Sequence, residues 1–209
     1  MYPAKQTFLV LGLSRSGCAA AEFLLERKAK VYIYDDVPGE GVEKSARLLE
    51  DKGAVRADKE QLPRMQEICD ALVLSPGIPI DHPTAVAFKR SGKAVVGETE
   101  LAARYMRCPV VAVTGTNGKT TTVSMLEKIL SEGGYKAQAC GNIGSPMVKY
   151  AELKEDEVAV AEISSFQLET LNSLCPHVGV VLNVTEDHLN RHYNMENYIF
   201  LKSKLLKNS

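Results

Sequence analysis

No apolar stretch in the sequence runs uninterrupted for the ~20 residues of a membrane span. The start, Met1 to Thr7, lacks a basic region leading into a long apolar segment and a small-residue cleavage site, so no secretory signal is expected. An excess of one charge is also missing. With 25 Lys and Arg against 26 Asp and Glu, the formal charge is −1 and there is no global field for nucleic acid or an anionic membrane. Any phosphate recognition must therefore be local. The five cysteines, Cys18, Cys69, Cys108, Cys140 and Cys175, are scattered, odd in number and never spaced CxxC. Neither a disulfide framework nor a zinc site is indicated, and reduced thiols in a cytoplasmic protein are the plain reading. Cys18, near a helix start, is the one placed to become reactive. Strong internal repeats and low-complexity tracts are absent.

What is present is alternation. The length of 209 residues, 45% of them hydrophobic, suffices for one large domain or two smaller ones. Phe8 to Leu11, Val31 to Tyr34, Ala71 to Leu74 and Ala94 to Val96 read as buried strands. Ala19, Ala20, Phe23 and Leu24 between the first two supply one helical face. The pattern restarts at Val110 to Val113, followed by a helix with Val123, Leu126, Ile129 and Leu130 inward. Val158 to Ala161 and Val178 to Leu182 read as two more strands. Strand–helix alternation of this kind predicts an α/β fold of parallel sheets covered on both faces. A boundary is expected between Arg104 and Pro109, dividing the chain into residues 1–106 and 107–209.

Val110 to Thr122, VVAVTGTNGKTTT in outline, is a strand, a glycine-containing loop and a helix start. A triphosphate needs closely packed backbone N–H donors, and Gly115 and Gly118 let the backbone approach without a Cβ in the way. The following helix adds its partial positive charge. Lys119 can reach β- and γ-phosphates and the Thr120 hydroxyl can ligate Mg²⁺, with Gly115, Thr116, Asn117, Gly118 and Thr121 completing the ATP loop. The general GxxxxGK[ST] pattern would put glycine at 113, where this chain has Val113. The loop is a variant.

Other candidate residues fall just after predicted strands, where open parallel sheets bind ligands. Glu162 ends the apolar run Val158 to Ala161, so it is either exposed at a strand end or a hard oxygen ligand for Mg²⁺. Asn142 and Asn183 fall there too and should converge on the same crevice. His188 and His192 are four apart, a spacing also used for zinc, but no third ligand is apparent. His192 reads as a surface or substrate-edge residue; His82 and His177, each beside a proline, read as loop residues. On a final helix over about Met195 to Lys207, Met195, Tyr198, Ile199, Leu205 and Leu206 form an apolar face with Lys202 near its centre and Lys204 opposite. Lys202 there is either a snorkelling lysine or one whose amine pKa is pushed down by desolvation, able when neutral to react with CO₂.

In the first half, Gly12 to Gly17 (GLSRSG) has the outline of a dinucleotide fingerprint, with Ser14 replacing its second glycine, which opposes close approach of a dinucleotide pyrophosphate. Ser14, Arg15 and Ser16 suit a different diphosphate. Asp35 and Asp36 follow the second strand, where an acid often meets a ribose or base. Ser75 and Gly77 would line the same cleft, although Ser75 could instead cap a helix. A generic Rossmann domain with NAD would use the same positions.

The segment TGTNGKTT resembles the ATP loop of the Mur ligases and of folylpolyglutamate synthase. Ser75-Pro-Gly77, Gly141-Asn-Ile-Gly144, Glu162-Ile-Ser-Ser-Phe-Gln-Leu168 and Asn183-Val-Thr-Glu-Asp-His188 match that superfamily in order, and the SSFQL segment is similar to that of the D-glutamate-adding branch. The resemblance runs from about Phe8 to the end. It implies a Rossmann-like domain binding UDP-N-acetylmuramoyl-L-alanine, followed by a P-loop-type ATP-binding central domain. It also implies an ATP-dependent ligase of peptidoglycan precursor synthesis that adds D-glutamate through an acyl phosphate. Two Mg²⁺ sites are implied, held by Thr120, Glu162, His188 and a carbamylated Lys202; Lys119, His188 and Lys202 would be the catalytic residues. The resemblance also makes Asn142, Ser164 and Asn183 candidates to orient a substrate carboxylate or water. The family's third domain, which receives the amino acid, is not among these 209 residues, so the chain is expected to be a fragment whose turnover stays open. A different amino-acid-adding ligase of the superfamily and a non-catalytic nucleotide-binding module are the competing expectations.

Overall fold

The structure, a computed structural model, describes residues 6–207. The leader reading at Met1 to Thr7 therefore falls mostly outside the described residues. The chain divides into two compact units, Met1–Leu101 and Ala102–Ser209.

In the first unit β1 (Thr7–Leu11), β2 (Lys30–Tyr34), β3 (Val55–Arg56), β4 (Ala71–Leu74) and β5 (Ala94–Val96) form one parallel sheet in the order β3-β2-β1-β4-β5. Strand order reverses between β1 and β4, so their carboxyl ends open a crevice at the switch point. Four helices connect the strands: α1 (Arg15–Glu26), α2 (Glu40–Asp51), α3 (Leu62–Ile68) and α4 (Pro83–Arg90). β1 and β4 are apolar because helices cover both faces, and Leu9, Leu11, Leu72 and Leu74 pack with Met65 and Phe88 in one core. Ala19, Ala20, Phe23 and Leu24 of α1 are all buried. The two-residue β3 carries no apolar run and lies outside the sequence expectation.

α5 (Glu98–Tyr105) spans the division between the units, which falls a few residues before the expected boundary. In the second unit β6 (Val110–Thr114), β7 (Lys136–Gly141), β8 (Glu157–Glu162) and β9 (Val178–Val181) form a parallel sheet ordered β7-β8-β6-β9. α6 (Lys119–Glu132) follows β6, α7 (Ser165–Leu168) follows β8, and α8 (Leu189–His192) and α9 (Met195–Lys207) close the unit. Val123 is fully buried and Leu126 and Leu130 pack partly against the core, but Ile129 is 59% exposed. The inward face of α6 is narrower than its periodicity predicts. α9 is corrected in the same sense. Tyr198, Lys202 and Leu205 are its buried residues, while Ile199 and Leu206 lie half-exposed on the flank of that stripe.

Candidate functional site

Register brings the second unit's residues together. Val113 pairs with Glu162 across β6 and β8, and Gly141 pairs with Glu162 across β7 and β8. Three strand ends thus lie level, and the loops leaving them meet. Gly141 is required there: φ is +96°, and a Cβ would collide with the Glu162 carbonyl oxygen. The turn it allows folds Asn142 over Glu162, with the Asn142 amide donating to the Glu162 carbonyl oxygen (2.9 Å) and Nδ2 to Oε1 (2.7 Å).

From the other side the Thr120 hydroxyl donates to Glu162 Oε2 at 2.7 Å. Glu162 is 2% exposed and, among the described residues, is held by neutral donors with no ion pair. A carboxylate so buried is costly without a positive partner. A hard divalent cation beside the Thr120 hydroxyl fits this donor set, with phosphate oxygens and water supplying the remaining ligands. No group of three or more His, Cys, Asp or Glu side chains that could by itself hold a metal ion occurs among the described residues.

The loop itself needs Gly115 (φ +155°) and Gly118 (φ +83°), the latter capping α6. A Cβ on Gly115 would press on Leu182 at 3.1 Å. Asn183 braces the loop: its Oδ1 accepts from the Asn117 amide (2.9 Å), its Nδ2 donates to the Asn117 carbonyl (3.1 Å), and its own carbonyl accepts from Thr116 (3.1 Å). Asn183, a candidate to orient a substrate carboxylate or water, is thus fixed against the loop while remaining exposed. Thr116 bonds to Thr185 and meets the Tyr198 hydroxyl at 3.2 Å, and Thr121 is exposed on the first turn of α6.

Lys119 Nζ donates to the carbonyls of Gly115 and Thr116, each at 2.9 Å. Lys202 reaches the same place from α9, its Nζ donating to the Gly115 carbonyl at 2.9 Å and lying 4.5 Å from the Tyr198 ring centre. Only 1% of Lys202 is exposed. Burial first, and the nearby Lys119 charge second, push its amine down to about 8. Lys204 donates its amine to the Leu168 carbonyl at the end of α7 (2.7 Å). Lys119, Lys202, Asn142, Ser164, Tyr198 and His188 line one cleft of about 220 Å³.

Ser164 caps α7 in a reciprocal box with Gln167, which leaves it at the cleft edge. His188 sits in the left-handed region (φ +54°) at the start of α8, its side chain 47% exposed and its ring 4.9 Å from Phe166. His192 is the clearest correction. Expected at the surface or at a substrate edge, it is buried, with Nε2 3.0 Å from the Ser165 hydroxyl and Nδ1 3.4 Å from Glu169, whose carboxylate is gripped by Arg191 at 2.6 and 3.0 Å. Burial lowers its pKa. Polar contacts over twenty residues apart left no signal in the periodicity. With the two histidines so differently placed, the zinc-like spacing is not used as a pair.

In the first unit Gly12 (φ +92°) and Gly17 pack so closely that a Cβ on Gly17 would collide with the Gly12 carbonyl. The Ser75 hydroxyl donates to that carbonyl at 2.8 Å and lies 3.5 Å from Ser14 Oγ. Ser75 therefore braces the loop and does not cap a helix; His82 caps α4 instead. Ser14, at the cap of α1, and Arg15, its first residue, are exposed, Ser16 is half-buried, and Gly77 faces open space. Asp35 Oδ2 accepts from the Leu13 amide (2.7 Å) and Oδ1 from the Val37 amide (2.9 Å), tying β2 to the loop. Asp35 and Asp36 line a cleft of about 340 Å³ beyond β2 and β3.

Two parallel-sheet units, the second with a glycine-bounded loop and lysine opening a helix beside a strand-end carboxylate, define an α/β protein of the phosphate-loop type. Residues 113–209 match the Mur ligase middle domain, and residues 6–97 match the MurD-like N-terminal domain of Mur ligases. The chain belongs to the Mur ligase family, of which it carries N-terminal and middle domains. It is 41% identical over 201 residues to the UDP-N-acetylmuramoylalanine–D-glutamate ligase of Koribacter versatilis, covering 96% of this chain and 44% of that protein. It is 42% identical over 199 residues to the ligase of the same name from Acidobacterium capsulatum, covering 94% of this chain and 43% of the relative. The chain thus spans less than half the length of these curated relatives. Among solved structures, the UDP-N-acetylmuramate:L-alanyl-γ-D-glutamyl-meso-diaminopimelate ligase of Neisseria meningitides shares the fold, with a TM-score of 0.63, 18% identity, and coverage of 98% of this chain and 68% of that one. No helix among the described residues is long and apolar enough to cross a membrane.

Proposed function

We propose that the chain carries the uridine-nucleotide-binding and ATP-binding parts of a ligase that adds D-glutamate to UDP-N-acetylmuramoyl-L-alanine in peptidoglycan precursor synthesis. The first unit takes the uridine diphosphate moiety and the second takes ATP. The observation that carries the reading is the meeting of Lys119, Thr120, Glu162 and Asn142 at three level strand ends. The names of the relatives at about 41% identity support the choice of substrates.

In the proposed reaction the alanyl carboxylate attacks the γ-phosphorus, ADP leaves, and the acyl phosphate is then opened by the amine of D-glutamate with release of phosphate. The first step brings two anions together. Lys119 and the start of α6 place positive charge where the γ-phosphoryl oxygens must lie. Thr120 and Glu162 would hold one magnesium ion, which when bound neutralises phosphate charge. His188 and Lys202 belong to a second site in this reading, with Lys202 carbamylated. A buried amine at about 8 is neutral often enough near neutral pH to react with CO₂, and support for this comes from its position at the cleft. A ¹³C-bicarbonate signal from a carbamate carbon, lost in Lys202→Met, is the expected result.

Mixing the chain with ATP, Mg²⁺ and UDP-N-acetylmuramoyl-L-alanine, with and without D-glutamate, and following phosphate release tests the reading. ATP binding lost in Lys119→Ala, or release that needs D-glutamate, supports it. Tight ATP binding that survives Lys119→Ala overturns it.

A further inference from the structure

Two adjacent acids follow β2, and the structure gives them different work. Asp35 accepts one backbone amide on each carboxylate oxygen, from Leu13 and Val37. Asp36 is instead oriented by side chains. The Tyr34 hydroxyl donates to its Oδ1 at 3.1 Å, and His82 Nε2 lies 2.9 Å from its Oδ2. His82 is itself fixed. Its Nδ1 accepts the Thr84 amide at the start of α4 (3.2 Å), so the proton of a neutral ring sits on Nε2 and is donated to Asp36. The His82 side chain is 18% exposed and Asp36 36%. The loop after β4 thus reaches across the switch-point crevice to the loop after β2. Asp36 stays at the wall of the 340 Å³ cleft, with lone pairs left over.

We infer that His82 is a positioning residue for nucleoside recognition: it aims the Asp36 carboxylate at a donor group on the nucleoside half of the bound nucleotide. A carboxylate already turned by two donors loses little freedom on meeting a third, so the contact costs less to form than one made by a free side chain. The diphosphate half, received by the Gly12–Gly17 loop, is not reached by this arrangement. The inference rests on the proposal that the first unit binds a uridine diphosphate.

The test is calorimetric titration of the chain with UDP and, separately, with inorganic diphosphate. His82→Asn keeps a good helix cap but is too short to reach Asp36, which separates the capping role from the positioning role. Asp36→Asn removes the charge at an exposed position. Both variants are expected to bind UDP about tenfold more weakly than the unaltered chain, as for a lost hydrogen bond to a charged group. Inorganic diphosphate should bind all three alike. Unchanged UDP affinity in His82→Asn overturns the inference, and so does an equal loss for UDP and inorganic diphosphate, which would mark a merely structural role. If the unaltered chain binds inorganic diphosphate but not UDP, the uridine reading fails and takes this inference with it.

Discussion

The amines of Lys119 and Lys202, 83 positions apart in sequence, both donate to the carbonyl oxygen of Gly115 at 2.9 Å. Burial first, and the charge of Lys119 beside it second, lower the Lys202 pKa. The loop is therefore charged in excess of its internal acceptors, a condition that a polyanion relieves. Electrostatic preparation of this kind is in place before any ligand arrives.

The first prediction concerns Lys119. Lys119→Ala is expected to weaken ATP binding roughly 10- to 100-fold, the effect of removing a charged donor from a phosphate. It should also raise the Lys202 pKa from about 8, because one of its two lowering influences disappears. Burial, the larger influence, remains, so the value should stay below that of a free lysine. Fluorescent-nucleotide titration reads the first effect and ¹³C-NMR titration of labelled lysine the second.

The second concerns Glu162 and the residue that turns it. In the unaltered chain Mg²⁺ should tighten ATP binding. Glu162→Gln should flatten that dependence, since an amide is a poor ligand for a hard cation. Asn142→Ala leaves the carboxylate in place without one of its two donors and should weaken magnesium affinity roughly 10- to 100-fold, as loss of an outer partner does. ATP titrations with and without a chelator distinguish the two. Equal ATP affinity in Glu162→Gln with and without magnesium is the expected outcome; a preserved magnesium effect counts against the assignment.

Much of this site is written locally. The glycine-bounded loop is contiguous, and its glycines, lysine and threonine stand in the order a phosphate cradle requires, so the strand, loop and helix start from Val110 to Thr122 are legible without a fold. Buried parallel strands are legible too, because both faces are covered and the apolar run is continuous. Lys202 shows as an anomaly within a helical stripe. What stays hidden depends on contacts between distant segments. His192 looks like any polar residue near a helix end, and only the fold brings Ser165 and Glu169 to it. The labour divided between Asp35 and Asp36 depends on a histidine 46 positions later. β3 has two residues, too few for any period. Ile129 and Leu206 fit the helical phase, yet they are 59% and 48% exposed, so phase alone does not fix depth.

A third prediction tests the hidden network. Arg191 and Glu169 form an ion pair with side chains only 13% and 7% exposed, and Glu169 also faces His192. Glu169→Ala removes the carboxylate of a largely buried ion pair, which is expected to destabilise the chain by up to about 3–5 kcal/mol. The Arg47–Glu43 pair has the same chemistry with side chains 72% and 45% exposed, and Arg47→Ala should change stability by less than about 1 kcal/mol. Urea denaturation followed by circular dichroism measures both. A Glu169→Ala variant as stable as Arg47→Ala would show that the buried pair is not a structural tie.

The last prediction follows from the sign of the Lys202 shift. Its amine titrates near 8 in the folded chain and near the ordinary 10.5 when unfolded. Below pH 8 both states hold the proton, and the folded state bears the full cost of a buried cation. Between about pH 8 and 10.5 the folded state releases the proton while the unfolded state keeps it, so the unfolded state binds more protons and stability rises with pH. The full effect is at most roughly 3 kcal/mol, from 1.36 kcal/mol for each pH unit between the two values. Other groups titrate in the same range, so the comparison must be between variants. Lys202→Met keeps the length of the side chain and removes the charge. Without nucleotide or metal it should be more stable than the unaltered chain at pH 7, with the gap narrowing as the pH approaches 10. Urea denaturation of both forms at the two pH values measures that gap. A gap that stays constant, or a variant less stable at pH 7, would mean that Lys202 enters the fold already compensated for its charge.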